Sequence, residues 1–322
     1  MSKLKGLLLT EGMHGMISQA EGLAKALDLD FIHEKIELNS FWELLPPKYT
    51  PVKDFVFKNK IENKFDIVIS CGRKSVIPSI CLKNKFRNKI INIHIQDPKV
   101  SLNHFDFIVA PEHDDLVGKN VLTSKGAIHY ITQEKIKESK NYLIDKFQLY
   151  NYFNKDKLVT IILGGPNRYY PFSDAALVKV FEKIKINFIN AGYQAIVIPS
   201  FRTPKRIIKI AKKYFNDKEL VITEVDKKAY LAALAMSKYI VVTCDSISMI
   251  SEAATTGKPI YVAQMPEIKS NERFKKFFNL FKSLNIIKDL NNSVEDWTYE
   301  KLNETNKIAN QIKKKIKLND FF

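Results

Sequence analysis

The chain has 322 residues, of which 51 are Lys or Arg and 35 are Asp or Glu, so its formal net charge is +16. This length exceeds the ~250–300 residues that one hydrophobic core usually supports, and it predicts two domains. Hydrophobic residues make up 45% of the chain, which excludes a disordered or collagen-like protein. The three cysteines have neither zinc-site nor redox-pair spacing, and a disulfide scaffold is not expected.

The start of the chain bears on localisation. Two lysines precede the apolar run 6–10, an order that superficially resembles a signal peptide. The run ends before Glu11 after five residues, whereas a signal core needs ~7–15 apolar residues and a membrane span about 20. We therefore expect a cytoplasmic protein.

The excess positive charge fits three classes of partner, which are nucleic acid, an anionic membrane surface and an anionic small molecule such as a nucleotide diphosphate. Nucleic acid is disfavoured, because interleaved aromatics and a recognisable binding module are lacking. The Lys-rich segment 301–317 supports a membrane surface or a protein partner, although such a run is usually a solvated helix face. Lysine, asparagine and isoleucine are abundant throughout, so compositional bias explains the charge equally well.

Short apolar runs alternate with helical patterns along the chain, which predicts parallel sheets wound by crossover helices. In the first half, strands are predicted at 4–10, 31–36, 66–70, 90–95 and 107–110. Helices are predicted there at 17–27 and, as a long charged helix, at 132–151. In the second half, strands are predicted at 158–163, 195–199, 219–223, 239–243 and 260–263, followed by a basic helix near 298–317.

This pattern predicts an α/β protein of two Rossmann-like domains, residues 1–152 and 153–322, joined by the polar linker 152–157. The final helix is expected to pack back on the first domain. Two parallel sheets that face a cleft bind ligands outside the carboxyl ends of their strands. Residues that directly follow predicted strands are therefore the candidates for the site.

In the first domain, the loop after the first strand has the sequence TEGMHG at 10–15. Its glycines allow a ligand to approach the backbone, and the start of the next helix favours an anion, although a plain tight turn is equally consistent. His14 or Glu11 would serve there as a general base toward an acceptor hydroxyl. Later strands are followed by further candidates that caps or turns also explain, namely Gly72, Arg73, Gln96, Asp97, Glu112, His113 and Asp114.

Two loops of the second domain carry donors for a phosphate group. The sequence LGGPNR at 163–168 offers backbone and side-chain donors from Gly164, Gly165, Asn167 and Arg168. Its alternative explanation is a Gly-Pro turn. The sequence PSFRTP at 199–204 offers Ser200, Arg202 and Thr203. A surface ion pair explains Arg202 equally well.

The most specific pattern is TCDSISMISEAA at 243–254, which follows a predicted strand and begins a helix. Small hydroxyl residues at a helix start cap the helix and favour phosphate. Glu252 lies one turn after Ser248 on the same face, where its carboxylate would accept hydrogen bonds from two ribose hydroxyls. The alternative is an ordinary cap followed by a surface glutamate. The candidate residues of this segment are Asp245, Ser246, Ser248, Met249 and Glu252.

Together, these motifs resemble the "elongated mitochondria" (mitochondrial fission) family of bacteria and plants over nearly the whole chain. The resemblance implies the two-domain fold of the B-type glycosyltransferases and a similarity to lipid-linked glycosyltransferases of the cell envelope. In that class the acceptor binds the first domain and the donor nucleotide binds the second. The residues that carry the resemblance are Gly12, Gly15, Gln19, Gly72, Arg73, Gln96, Asp97, Pro98, Glu112, His113, Asp114, Gly164, Gly165, Ser200, Arg202, Thr203, Pro204, Asp245, Ser246, Ser248, Met249, Glu252 and Ala253.

The resemblance also implies roles for individual residues. A nucleotide sugar would contact Gly164, Gly165, Ser200, Arg202, Ser246, Ser248 and Glu252. The hypothesis of a glycosyltransferase adds two further roles. Arg202 and the helix start at Ser246 would neutralise the developing diphosphate charge. A first-domain residue such as His14, Asp97 or His113 would take the proton of the acceptor.

Two positions depart from the family pattern. Phe201 stands where a second arginine is expected, and Cys244 stands where the family is often acidic. Both changes weaken the electrostatics of the implied site. No D-x-D pattern follows a strand in a way that suggests a metal-held nucleotide, so a metal-independent site is predicted.

The sequence thus predicts transfer of a sugar from a nucleotide diphosphate donor to a lipid or saccharide acceptor, without a metal or a resident cofactor. The expected location is the cytoplasm, including the inner face of the cell membrane. The alternative is a non-catalytic adaptor or membrane-surface protein that keeps the fold and uses its basic surface to meet a partner.

Overall fold

The computed structural model describes residues 3–61, 65–86, 89–148, 154, 157–215, 219–291 and 293–318. The chain divides into two compact units, one formed by Met1–Tyr130 with Asn303–Phe322 and the other by Ile131–Leu302. The predicted boundary at 152/153 and most of the predicted linker 152–157 lie outside the described residues. The division instead falls at residue 131, because Leu143 and its neighbours pack in the core of the second unit.

The first unit is built on β1 (Lys5–Thr10), β2 (Asp30–Lys35), β3 (Ile67–Cys71), β4 (Ile91–Ile95), β5 (Phe107–Pro111) and β6 (Val121–Ser124). Within the described residues these strands form one parallel sheet in the order β2-β1-β3-β4-β5-β6. Strands β1 to β5 lie where strands were predicted. Strand β6 was not predicted, because it is a short edge strand that ends in two polar residues.

The second unit is built on β7 (Leu158–Leu163), β8 (Gln194–Pro199), β9 (Leu220–Val221), β10 (Tyr239–Thr243), β11 (Ile260–Ala263) and β12 (Ile287–Asp289). They also pair in parallel, in the order β12-β11-β10-β7-β8-β9. Strands β7 to β11 match predicted strands. Strand β12 has three residues, too few to form a pattern that the sequence can reveal.

The helices of the first unit are α1 (His14–Ala26), α2 (Ser40–Leu44) and α3 (Val76–Phe86). The second unit contains α4 (Gln133–Glu138), α5 (Tyr142–Phe147), α6 (Asp174–Ile184), α7 (Lys205–Tyr214), α8 (Lys227–Met236), α9 (Ile247–Ala254) and α10 (Glu272–Ser283). The last helix, α11 (Glu304–Leu318), belongs to the first unit.

The prediction of one long helix at 132–151 is wrong. Two short helices, α4 and α5, stand there, and α4 ends at Ser139. The Ser139 hydroxyl donates to the carbonyl oxygen of Lys135 at 2.9 Å, and such side-chain bonds to the backbone compete with continuation of a helix. Residues 149–151 lie outside the described part of the chain.

Both faces of the first sheet are covered at β1, which explains the continuous apolar run of this strand. In β1, Leu7 and Leu9 pack with α3 on one face, whereas Leu8 packs with α1 on the other. A strand buried on both faces needs apolar residues at successive positions. The cluster around Leu8 also includes three residues of the final helix, Ile308, Ala309 and Ile312.

Helix α1 approaches the backbone of residues 129–130 through Gly22, where a Cβ would overlap the carbonyl group of His129. Gly22→Ala should therefore lower the free energy of unfolding by about 2–3 kcal/mol, a usual cost of overpacking. Gly15→Ala in the same helix is the matched control, because no other part of the protein lies within 4 Å of its Cβ. Chemical denaturation measures both variants, and equal losses of stability would contradict this packing.

Candidate functional site

Each sheet contains one switch point, where the order of its strands changes direction. In the first unit the chain runs from β1 outward to β2 and then returns to β3 on the other side of β1. In the second unit it runs from β7 through β8 and β9 and returns to β10. Open α/β sheets bind ligands outside the carboxyl ends of the strands at such points. The relevant loops begin at Glu11, Gly72, Gly164 and Cys244.

A buried carboxylate, that of Asp245, lies at the switch point of the second unit, and its side chain is 0% exposed. Its Oδ1 accepts a hydrogen bond from the Thr243 hydroxyl at 2.6 Å. Its Oδ2 accepts from the Gly165 N–H at 3.2 Å and from Nη2 of Arg202 at 2.5 Å. One carboxylate therefore joins the loops that follow β7, β8 and β10.

Two glycines make this close approach feasible. A Cβ at Gly164 would overlap the Asp245 carboxylate, and a Cβ at Gly165 would overlap the carbonyl oxygen of Arg202. The Gly164 N–H also donates to the Thr243 hydroxyl at 2.8 Å. Contacts inside the protein therefore require glycine at both positions, whatever role the two N–H groups have toward a ligand.

The loop after β8 is closed by Thr203. Its hydroxyl donates toward the carbonyl oxygens of Leu163 and Gly164, at 2.7 and 2.8 Å, and accepts from the Ser200 N–H at 2.8 Å. Arg202, between Ser200 and Thr203, donates from Nη1 to the Gly165 carbonyl oxygen at 3.1 Å. The end of β7 therefore holds Ser200, Arg202 and Thr203 together.

The Arg202 guanidinium is already paired within the protein. Burial raises the pKa of the Asp245 carboxyl, and Arg202, Thr243 and Gly165 partly oppose that rise. The Arg202 side chain stays 38% exposed, so part of the guanidinium still faces solvent. A surface ion pair was the alternative explanation of Arg202. An ion pair is present, but its acidic member, Asp245, is buried. The loop consequently offers an anion less net positive charge than the sequence indicated.

Glu252 is buried, so its alternative interpretation as a surface glutamate is wrong. It lies on α9, is 8% exposed and accepts a hydrogen bond from the Tyr230 hydroxyl at 3.0 Å. Burial raises the pKa of the Glu252 carboxyl to about 7. The first turn of the same helix is capped by Ser246, whose hydroxyl accepts from the Met249 N–H at 3.4 Å. Sequence reasoning missed Tyr230, because α8 is distant along the chain and carries no motif.

Asn167 and Cys244 complete the second-unit loops. Asn167 donates from Nδ2 to the Asp245 carbonyl oxygen at 3.3 Å, and its Oδ1 accepts from the N–H groups of Tyr169 and Tyr170. Cys244 is buried and its Sγ accepts from the Met265 N–H at 3.3 Å. Burial raises the pKa of the Cys244 thiol to about 12, so this position is neutral.

In the first unit, Glu11 connects the two loops of the switch point. Its Oε1 accepts from the Lys74 N–H at 3.1 Å. Gly72, which precedes Lys74 by two residues, has a φ of +97°, and a Cβ there would lie 2.7 Å from the same Glu11 oxygen. Gly72 is therefore required both by its backbone conformation and by the closeness of Glu11.

The three proposed catalytic residues follow three different strands and make different contacts. His14 begins α1, with its ring edge-on to that of Tyr130 at 6.4 Å. The Asp97 carboxylate accepts from the N–H and the ammonium of Lys99, at 2.9 and 2.5 Å. His113 is buried, with Nε2 3.8 Å from Oδ1 of Asp114. All three follow carboxyl ends of the first sheet, but these contacts do not join them to one another.

The candidates of the second unit form a more connected group. Hydrogen bonds bring together Gly164, Gly165, Asn167, Ser200, Arg202, Thr203 and Asp245. Ser246, Ser248 and Met249 lie beside this group at the start of α9, and Glu252 lies one turn further along the helix.

In the part of the chain that the structure describes, no group of three or more His, Cys, Asp or Glu side chains is arranged to hold a metal ion. No helix in the same residues has the length and apolar character needed to cross a bilayer. Metal independence stays a prediction.

Solved structures define the class of the fold. UDP-GlcNAc 2-epimerase from Methanocaldococcus jannaschii matches with a TM-score of 0.54 and 14% identity, over 97% of this chain and 100% of that chain. The Neisseria meningitidis UDP-GlcNAc 2-epimerase bound to UDP-GlcNAc gives a TM-score of 0.54 at 12% identity, over 97% and 99%. The S. aureus MnaA–UDP co-structure gives 0.50 at 14%, over 98% and 97%. The predicted fold of two Rossmann-like domains of the B-type glycosyltransferase class is thereby confirmed.

Sequence comparison then identifies the family. The chain belongs to the Mitochondrial fission ELM1 family, whose model matches residues 14–316. An uncharacterized Rickettsia prowazekii protein, RP120, is 27% identical over 287 residues, covering 79% of this chain and 80% of that protein. The Arabidopsis thaliana Mitochondrial fission protein ELM1 is 25% identical over 279 residues, which is 78% of this chain and 64% of the plant protein's length. The predicted family resemblance is confirmed.

Arg202 and Asp245 should be strongly coupled in stability. Arg202→Gln should lower the free energy of unfolding by about 2–4 kcal/mol, because it leaves a buried carboxylate without its cation. The double variant Arg202→Gln/Asp245→Asn should recover part of this loss, and chemical denaturation measures both. Arg206→Gln, at an exposed ion pair with Asp174, is the control and should cost less than about 1 kcal/mol. A double variant no more stable than Arg202→Gln would contradict the coupling.

Glu252 should make stability depend on pH. Its folded-state pKa of about 7 exceeds the ordinary value of 4.5. The contribution of protonated Glu252 to the free energy of unfolding is therefore complete below pH 4.5 and is lost as the pH rises through about 7. Glu252→Gln can still accept the Tyr230 hydroxyl but cannot ionise. Between about pH 5 and about pH 8, the wild type should therefore lose about 2–3 kcal/mol more stability than Glu252→Gln.

Denaturation curves at several pH values measure this difference. The comparison between the two proteins separates Glu252 from other groups such as Glu219, whose pKa burial also raises to about 7. Glu224→Gln, which removes an exposed carboxyl group, is the control and should follow the wild type. If the free energy of unfolding has the same pH dependence in the wild type and in Glu252→Gln, burial does not raise the pKa of the Glu252 carboxyl group.

Proposed function

We propose that this protein is a metal-independent glycosyltransferase that moves a sugar from a nucleotide diphosphate donor on the second unit to a lipid or saccharide acceptor on the first. The observation that carries the proposal is the connected group at the second switch point, where Asp245 orients Arg202 beside the start of α9. Solved structures with the same fold contain UDP or UDP-GlcNAc, which supports a nucleotide sugar as the ligand class.

The diphosphate would bind between the exposed part of the Arg202 guanidinium and the N-terminus of α9. Gly165 and Asp245 hold the guanidinium, so little further side-chain freedom is lost when an anion binds. The unbonded N–H groups of a helix start add donors directed at the same place. As the sugar leaves, these groups would stabilise the negative charge that grows on the diphosphate.

The ribose would bind at Glu252, whose carboxylate can accept hydrogen bonds from two neighbouring hydroxyls. The Tyr230 hydroxyl donates to Oε2 at 3.0 Å and thereby orients the carboxyl group. Because the pKa of Glu252 is about 7, the ionised, accepting form is gained as the pH rises through neutrality. The affinity for the ribose should accordingly increase as the pH rises through neutrality.

His14 is the preferred base for the acceptor hydroxyl. It follows β1, one of the two strands at the switch point of the first unit. Each oxygen of the Asp97 carboxylate already accepts a hydrogen bond from Lys99, so Asp97 is less available to an acceptor hydroxyl. The His113 side chain is 0% exposed, which restricts its access to an acceptor.

Nucleotide binding provides the primary test. Isothermal titration with UDP, GDP, ADP, CDP and the corresponding nucleotide sugars should show binding of at least one of these nucleotides. Glu252→Gln should weaken that binding about tenfold, because a neutral amide accepts ribose hydrogen bonds less strongly than a carboxylate. Glu224→Gln is the matched control and should bind like the wild type. A correctly folded protein that binds no member of the panel would refute the proposal.

The products separate the competing functions once a ligand is found. Transfer, or slow hydrolysis with water as the acceptor, releases the nucleotide diphosphate, whereas epimerisation changes the sugar and leaves the nucleotide attached. Proton NMR of the donor distinguishes these results, and His14→Gln should bind the donor but lose its turnover. Binding without any turnover in the presence of candidate acceptors would favour the non-catalytic adaptor.

A further inference from the structure

The first unit exposes a cluster of large apolar side chains on α2 and on a 3-10 turn at Asp54–Val56. Phe41, Leu44 and Phe55 are 63%, 81% and 60% exposed; we call these three residues the α2 patch. Phe41 and Leu44 are three residues apart on α2, and Trp42 contacts Phe41 and Phe55, with ring centroids 4.8 and 5.9 Å apart. Contiguous exposed apolar groups of this size mark interaction surfaces more often than isolated ones do.

Hydrogen bonds hold the α2 patch in place. The Asn39 side chain donates to the Phe55 carbonyl oxygen at 2.5 Å. The Arg73 guanidinium donates to the carbonyl oxygens of Glu43 and Leu45, at 2.6 and 2.8 Å. Arg73 directly follows Gly72, so the residue that anchors α2 also belongs to the switch point of the first unit. The patch is therefore a fixed surface next to the proposed acceptor site.

The surroundings of the α2 patch are basic. Residues 40–60 contain four exposed lysines, Lys48, Lys53, Lys58 and Lys60, and two acidic residues, and Lys58 pairs with Glu37 at 3.8 Å. One of the two acidic residues, Glu43, forms an ion pair with Lys74 at 2.7 Å; the other is Asp54. The Lys48 ammonium lies 4.6 Å from the ring centre of exposed Tyr49. Exposed aromatic groups combined with lysines are typical of protein surfaces at the boundary between lipid and water.

We propose that the α2 patch docks this protein on the surface of an anionic lipid bilayer. Phe41, Leu44 and Phe55 would enter the boundary between headgroups and acyl chains, while the lysines around them contact anionic headgroups. The net charge of +16 adds long-range attraction to the same surface. Docking does not depend on the proposed transferase activity. If that activity is correct, docking would also bring a lipid-linked acceptor to the loops at Glu11 and Gly72.

Sedimentation with vesicles tests the docking in the absence of any nucleotide or acceptor. The vesicles contain phosphatidylcholine with about one third phosphatidylglycerol, and vesicles of phosphatidylcholine alone are compared. The full chain should sediment with the anionic vesicles. Phe41→Gln/Leu44→Gln should reduce its partition constant at least about tenfold. Lys48→Gln/Lys53→Gln should reduce it about tenfold at low salt and less at high salt.

Matched variants control for general effects of hydrophobicity and charge. Val117→Gln/Ile268→Gln removes exposed apolar groups elsewhere, and Lys314→Gln/Lys317→Gln removes exposed lysines from α11; neither should reduce binding as much. All substituted side chains are exposed, so the melting temperature should stay that of the wild type. In a Trp297→Phe background, where Trp42 alone emits, the tryptophan emission should shift to shorter wavelength with vesicles, and Phe41→Gln/Leu44→Gln should lose the shift.

Three results would overturn the proposal. The first is failure of the wild type to sediment with anionic vesicles. The second is binding of Phe41→Gln/Leu44→Gln like the wild type. The third is a greater loss of binding in Lys314→Gln/Lys317→Gln than in Phe41→Gln/Leu44→Gln and Lys48→Gln/Lys53→Gln. Sedimentation velocity adds a fourth. If the wild type forms a dimer, and Phe41→Gln/Leu44→Gln abolishes the dimer without changing vesicle binding, the α2 patch mediates contact between copies of the chain. Each result leaves the nucleotide titration unaffected, so failure of docking is distinguishable from failure of the transferase proposal.

Discussion

The buried carboxylate of Asp245 is the constraint on which the second unit's site depends. A carboxylate without access to solvent must be satisfied by fixed donors, and here they come from three loops, through Thr243, Gly165 and Arg202. Displacement of any of these loops would remove a partner from the charge. The loops are therefore coupled before a ligand arrives, and the absence of side chains at Gly164 and Gly165 is a consequence of that coupling.

The first unit shapes its loops through more local contacts. The Asp97 carboxylate bonds to Lys99, two residues further along, and Glu11 bonds to a single N–H of the neighbouring loop. The first contact defines one turn and the second joins two loops, but neither joins three strands through one charge. Groups that share a network change together, whereas separate contacts act independently. Both sheets thus have a switch point, but the loops at the second one are more strongly coupled. This difference fits the proposal of a donor site with fixed geometry on the second unit and an acceptor site of more variable shape on the first.

The sequence reveals the features that repeat locally and conceals those that depend on distant partners. Runs such as residues 158–163 predict strands correctly because burial on both faces makes every residue apolar. Motifs after strands identify Asp245 and Arg202 because parallel strands bring their carboxyl ends to one edge. The burial of Glu252 could not be predicted, since its partner Tyr230 lies on another helix. The break at Ser139 was also missed, because a charged helical pattern does not show where a side chain will bond to the backbone.

The net charge of +16 has to be interpreted separately for the site and for the surface. At the second switch point, Arg202 is balanced by Asp245, and Cys244 is kept neutral by burial, so the total charge carries little information about that site. Anion recognition there depends on oriented donors, which act over hydrogen-bond distances. Lysines such as Lys48 and Lys53 are exposed instead, where their field extends about a Debye length, ~8–10 Å, into solvent. An excess of such residues is consistent with the proposed docking on an extended anionic surface, and exposed Phe41 and Leu44 give the protein's own surface an apolar component there.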